Sequence, residues 1–130
     1  MDKTAFAAYK ELIMLDIQLG KIEEANELAR TLAKLSRDIN TYLFLGSYYV
    51  ITGDTESAVS QYENVYSSQR DNIEAIAVLA GIYSATDPEK ALKYLDKYLE
   101  LKPGATEAFY RKAIVKMKLK RKVEANKILE

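Results

Sequence analysis

The residue types that carry most enzyme chemistry are missing from this sequence, which has neither cysteine nor histidine. A structural zinc site needs those ligands, and a Ser–His or Cys–His nucleophile needs the imidazole base, so both classes are excluded. What remains is carboxylate, phenol and cation. Glu23, Glu24 and Glu27 are close enough in sequence to attract a hard cation, but no further oxygen ligands follow at a suitable spacing. Carboxylates in the first turns of a helix are in any case favoured by its dipole without a ligand. The chain has ten tyrosines, yet no acid or base can be named as a partner for any of them. Tyr42, Tyr49, Tyr62, Tyr83, Tyr94 and Tyr98 recur where aromatic core residues are needed. We therefore expect no enzyme, no metal and no cofactor.

The basic run is the other chemical feature. Arg111, Lys112, Lys116, Lys118, Lys120, Arg121 and Lys122 put seven cations within twelve residues. Residues 111–130 hold eight Lys/Arg against two Glu, so this end carries +6 and the preceding 110 residues carry −6 in a chain of formal charge zero. Such a run can neutralise phosphates. Only Phe109 and Tyr110 lie near it, however, and no base-stacking array is present. A solvated face, or a patch that docks on an acidic protein, is the expected reading, and nucleic acid is not expected as a partner.

These groups have to be positioned by helices. Apolar residues make up 48% of the 130 and charged residues 29%, a folded composition, with only two prolines and five glycines among abundant Ala, Leu, Glu and Lys. Such side chains lose little rotamer freedom in a helix. No apolar run approaches the ~18 residues of a membrane span. The start, Met1-Asp2-Lys3-Thr4, lacks the basic and apolar regions of a signal peptide. That favours a cytoplasmic chain, and a periplasmic one requires a leader already removed.

Internal repetition sets the organisation. Ala25, Ala58, Ala91 and Ala125 are spaced 33, 33 and 34 residues apart, each within a helical pattern of apolar residues three and four apart. Residues 39–70 show the unit best: Tyr42, Leu45, Gly46 and Tyr49 share a helical face, Gly53-Asp54 breaks the helix, and Ala58, Tyr62 and Val65 follow on a second helix. Gly46 and Ala58 fit a close approach of the two helices, and Tyr42, Tyr49 and Tyr62 fill the space beside them. The third unit has Ile76, Leu79-Ala80 and Tyr83, then Ala91, Leu95 and Tyr98, ending at Pro103. The first has Tyr9 and Leu12, then Gly20, Ala25, Ala29 and Leu32, with Ile13 and Asp16 where the second unit has the small Gly46 and the tyrosine Tyr49. The fourth has Phe109, Ala113, Ala125 and Leu129, with Lys112 and Lys116 in place of apolar residues.

This pattern of an aromatic, Leu-Gly and Tyr on helix A, then Ala and an aromatic on helix B, resembles the tetratricopeptide repeat. The resemblance implies an all-α fold, a right-handed α-solenoid of stacked antiparallel hairpins with a concave face lined by the A helices. It divides the chain, as one array over 1–130, into repeats of about 4–37, 38–70 and 71–103 and a partial fourth over 104–130. The corresponding helices are expected near 4–19, 21–36, 39–52, 55–69, 72–85, 88–101, 105–119 and 121–130. Asp87-Pro88 reads as an N-cap followed by proline at the first helical position, and Asp71 with Glu74 as a capping box. Gly20, Gly53 and Gly104 fall in turns that permit positive φ.

By the same resemblance, the concave groove is lined by helix A residues not used within the hairpin: Lys10, Met14, Ile17, Leu43, Ser47, Val50, Ala77, Gly81, Tyr110, Ile114 and Met117. Packing against the next helix A is the competing reading of several of them. The set is apolar and small, which suits a peptide or helix with aliphatic anchors. Met14, Ser47, Phe44 and Val78 stand where the chaperone-tail binders of this family place polar clamp residues, so that specificity is not expected. The function implied is a protein-interaction module or scaffold. The alternative is a self-assembling scaffold, in which the basic C-terminal end stacks on the acidic N-terminal portion of another copy as a head-to-tail homo-oligomer. The last helix ends at Glu130 without a polar capping helix, so a longer parent protein or a covering partner is expected.

Overall fold

A computed structural model describes residues 1–129; the expected helix end at Glu130 and the side chain of Leu129 lie outside the described residues. Seven helices follow one another: α1 (Lys3–Gln18), α2 (Ile22–Leu35), α3 (Ile39–Thr52), α4 (Thr55–Ser68), α5 (Ile73–Thr86), α6 (Pro88–Leu101) and α7 (Thr106–Leu129). Among the described residues there is no strand. The fold class is all-α, as the periodicity implies, and the first six helices lie within about two residues of the ranges read from sequence.

The helix ends follow local chemistry. Asp2, Asp38, Asn72 and Asp87 each accept a hydrogen bond from the backbone N–H three residues on, which satisfies one orphan donor of a first turn. The cap of α5 is thus Asn72, whose Oδ1 accepts from the Ala75 N–H at 3.0 Å, and not Asp71, because the helix opens one residue later than expected. Asp87 closes α5 and caps α6, with Pro88 at its first turn. Gly53 ends α3 at φ 82°, a left-handed conformation that glycine adopts without strain. Gly20 is also at positive φ, at 74°, but Gly104 is not.

One expected boundary is absent. A turn near residue 120 was implied by the repeat register, yet α7 runs unbroken for 24 residues. Its sequence there, Lys118 to Lys122, contains no Gly, Pro, Asn or Asp to stop a helix.

The chain forms two compact units, Met1–Asn64 and Val65–Glu130. In the first, Ile13, Ala25, Ala29, Leu32, Leu45 and Tyr48 make the buried core, with Phe6 and Phe44 packed against it edge to face at 6.2 Å. Each fully buried Leu or Ile contributes about 1.5–3 kcal/mol. Gly46 faces α4 so closely that a Cβ there would lie 2.7 Å from the Tyr62 ring. That contact is the physical reason for the Leu-Gly of the sequence pattern.

In the second unit, Ile76, Leu79, Ala80 and Tyr83 of α5 are buried with Ala91, Tyr94 and Leu95 of α6 and Ala108 and Val115 of α7. Tyr83 stacks on Tyr94 at 5.7 Å, and Tyr66 meets Tyr94 edge-on at 5.1 Å. Lys112 of α7 pairs with Asp96 of α6 at 2.6 Å, and its side chain is only 29% exposed.

Candidate functional site

The A helices, α1, α3, α5 and α7, each bury one face and leave another bare. In α3, Thr41, Leu45, Gly46 and Tyr48 are buried, whereas Ser47 and Val50 are exposed and Leu43 is half-buried. In α1, Ile13 is buried, Lys10 and Met14 are exposed, and Ile17 is half-buried. In α5, Ala77 is exposed and Gly81 half-buried beside the buried Ile76, Leu79 and Ala80. In α7, Tyr110, Ile114 and Met117 are exposed at 69, 53 and 55%. None of the eleven residues singled out from sequence is fully buried.

Some of these side chains have definite neighbours. The Lys10 ammonium lies 5.7 Å from the centroid of the Phe44 ring, a cation–π contact between α1 and α3. The Arg111 guanidinium lies over Gly81, where a Cβ would be 3.3 Å from Nη1, and it meets Glu107 at 3.7 Å. Glycine at position 81 therefore gives the arginine room to lie flat on α5.

Below that arginine is a cavity of about 340 Å³, lined by Ala77, Ala80, Leu95, Tyr98, Ala108 and Arg111 among others. Sequence reasoning missed it, because only Ala77 was read as a groove residue. The signal was the small side chain at both Ala77 and Ala80, which leaves space beside Leu95. In the first unit, a polar cavity of about 260 Å³ is bounded by Asn26, Arg30, Tyr49, Thr52, Asp54 and Ser57. Next to it the Tyr48 hydroxyl donates to Asn26 Oδ1. Burial raises the pKa of both Tyr48 and Tyr49 above the ordinary tyrosine value, so both hydroxyls stay protonated well into the alkaline range.

The seven cations at 111–122 do not share one surface. At 100° per residue they are distributed around α7. Lys112 is taken up by Asp96, Arg111 by Glu107, and the Lys118 ammonium donates to the Ser84 carbonyl at 3.4 Å. Lys116, Lys120, Arg121 and Lys122 are exposed. Of the acidic trio, Glu23 and Glu24 lie in the first turn of α2. Among the described residues no group of three acidic side chains is placed to hold a metal ion, and no helix is long and apolar enough to cross a membrane.

With this geometry in place, the comparisons are specific about class. Residues 39–72 match the tetratricopeptide repeat model. The chain is similar to the crystal structure of a tetratricopeptide repeat protein from Parabacteroides merdae ATCC 43184, with a TM-score of 0.72 and 22% identity, covering 88% of this chain and 45% of that one. It is also similar to a point mutant of MamA, with a TM-score of 0.66 and 23% identity, covering 96% of this chain and 74% of that one. This chain thus spans less than half the length of the Parabacteroides merdae protein. No curated protein matches it. One tetratricopeptide repeat is thus evident in the sequence at 39–72, and the fold of the chain is like that of solved tetratricopeptide-repeat proteins. Such repeats generally act as non-catalytic scaffolds that bind other proteins.

Proposed function

We propose that this chain is a protein-interaction module that holds a peptide or helix of a partner through the bare faces of its A helices. The observation that supports the reading is the division of labour within each A helix. Leu45, Gly46 and Tyr48, like Ile76, Leu79 and Ala80, are consumed by packing, while Val50, Ala77, Ile114 and Met117 are not. Exposed aliphatic side chains without a folding role are the usual mark of an interaction face. On this reading the repeats are 4–37, 38–70, 71–103 and a partial fourth over 104–130.

The α5–α6–α7 cavity sharpens the ligand class. Its walls are four alanines, Leu95 and the Tyr98 ring, with Thr106, Glu107 and the Arg111 guanidinium at its polar side. Among the described residues Arg111 pairs with the exposed Glu107 carboxylate at 3.7 Å, a weak competitor. An aliphatic anchor with a neighbouring carboxylate on the peptide fits such a cavity best.

The test is selection from a random peptide library followed by titration calorimetry. We expect selected peptides to combine aliphatic and acidic residues. Val50→Lys and Ala77→Lys should weaken them at least tenfold with thermal stability unchanged. Unaltered affinity in both variants overturns the reading.

A further inference from the structure

The polar cavity of the first unit holds two opposite charges that do not meet. Arg30 of α2 and Asp54, one residue before α4, both line its volume of about 260 Å³. Among the described residues neither forms an ion pair, with the other or with any third group. Glu23, Glu27 and Glu56 are neighbours in sequence, but none of them lines the cavity. Asp54 accepts from the Ser57 N–H at 3.2 Å and from the Ser57 hydroxyl at 2.7 Å, one bond on each oxygen. An ionised carboxylate has about four acceptor positions, so these two bonds leave it able to accept more.

The neutral groups of the cavity are fixed by the core. Tyr48 is 1% exposed, and its hydroxyl donates to Asn26 Oδ1. With the amide oxygen occupied, the end of Asn26 left for a ligand is its NH2, which only donates. Asn26 and Arg30 are four residues apart on α2 and so share one side of that helix. The Tyr49 ring meets the Tyr48 ring edge-on at 5.1 Å, which holds its hydroxyl in place. Burial raises the pKa of Tyr49, Asp54 adds to the rise and Arg30 opposes it, so both charges act at this hydroxyl.

The α2 wall therefore offers cationic and neutral donors, and the opposite wall at the start of α4 offers a carboxylate. A simple anion would be held by Arg30 but repelled by Asp54, and a simple cation would meet the reverse. A molecule with both charges on neighbouring atoms satisfies the two walls together. The volume lies below the ~300–1,000 Å³ of drug-sized pockets, which limits the ligand to a small molecule. Ile22, 41% exposed at the rim, supplies the one large apolar surface. We propose that this cavity binds a free α-amino acid with an aliphatic side chain, its carboxylate held by Arg30 and the Asn26 NH2 and its ammonium by Asp54. None of these residues is a groove position, so the site is separate from peptide binding at the A helices.

The experiment is an NMR titration of the full chain with L-leucine, N-acetyl-leucine and leucinamide, followed at the backbone amides. Leucine should shift the amides of Asn26, Arg30, Asp54 and Ser57 saturably, with a midpoint below about 1 mM. N-acetyl-leucine keeps only the carboxylate and leucinamide only the ammonium, and each should bind at least tenfold more weakly. Arg30→Gln and Asp54→Asn should each weaken leucine at least tenfold with the melting temperature unchanged, since asparagine still caps α4. No saturable shift up to about 10 mM overturns the proposal, as does equal binding of either derivative. Undiminished binding in either variant also overturns it. Leucine shifts confined to the α5–α6–α7 cavity beside Arg111 would overturn it as well, while leaving the peptide reading untouched.

Discussion

Helices α3 and α7 begin from similar instructions and end in different surroundings. Each has an aromatic followed four residues later by a small residue, Tyr42 with Gly46 and Phe109 with Ala113. In α3 the small residue receives Tyr62 from α4, an arrangement that requires the chain to reverse at Gly53. In α7 no glycine, proline, asparagine or aspartate stands where the reversal is needed, the helix continues, and Phe109 stays in water. The difference teaches that the turn, more than the packing pair, decides whether a hairpin forms. A hydrophobic face is only an offer until a breaker returns the chain to it.

The largest test of this contrast is truncation of the two aromatics. Tyr62→Ala empties a fully packed site and should cost about 3–5 kcal/mol. Phe109→Ala removes an exposed ring and should cost no more than about 0.5 kcal/mol. Urea denaturation of both variants measures the gap, and equal costs would mean that α7 is covered in solution.

Next is enlargement of the small residue. Gly46→Val must displace the Tyr62 ring, with an expected loss of about 1–3 kcal/mol and a visibly lower melting temperature. Ala113→Val on the bare helix should shift stability by less than about 0.5 kcal/mol.

A smaller effect separates α3 from helices with less defined starts. The Thr41 N–H, hydrogen-bonded to Asp38 at 2.9 Å, holds the Asp38 carboxyl below its ordinary value near 3.8, and the hydroxyls of Thr41 and Ser36 add to this. A lowered folded-state pKa means that the stabilisation is present above the unfolded value and lost as pH falls through the folded one. Asp38→Ala should cost about 1 kcal/mol at neutral pH. Asp38→Asn should flatten the acid limb of stability, read as the urea midpoint between pH 7 and pH 3. Tyr48 and Tyr49 have raised values, so the sign reverses for them. Their contribution is intact below the ordinary tyrosine pKa and is lost as pH rises through the folded one, so Tyr48→Phe should blunt the alkaline loss.

The smallest effect is expected at the groove positions. Val50→Lys places a charge where half the side chain is already in solvent, and stability should change by less than about 0.5 kcal/mol. A drop of several degrees in its melting temperature would reassign Val50 to the core.

The central hairpin was legible in the sequence because its instructions are redundant. Gly46, Ala58 and Tyr62 specify the close approach, and Gly53 specifies the turn. The first six helices were legible for the same reason, since capping side chains and glycines punctuate them. Three things were not. The continuity of α7 was hidden because a break was inferred from repeat length, although Lys118 to Lys122 contain no residue able to make one. Tyr48, Tyr66, Ser36 and Thr41 were missed as buried residues, because they lie beside the repeat pattern and not within it. Ser36 and Thr41 are joined by a 2.7 Å hydroxyl hydrogen bond that periodicity cannot foretell. The cations at 111–122 looked like one patch because they adjoin in sequence, whereas helical geometry turns neighbours away from each other. Of the candidate interaction surface, Val50, Ala77 and Met117 were named through the resemblance to the tetratricopeptide repeat, but the cavity beside Arg111 depends on three helices meeting.

The unbroken course of α7 also bears on the order in which the chain loses structure. From Lys120 to Ile128 every side chain is exposed, so this stretch buries little against the rest of the described residues. Helical turns that bury little gain little from tertiary packing, which supplies most of the stability of helices in proteins. This stretch should therefore fray by itself at room temperature, and its amides should exchange with solvent far ahead of those around Val115. A surface that seized it would extend an existing helix and avoid the costly nucleation of a new one.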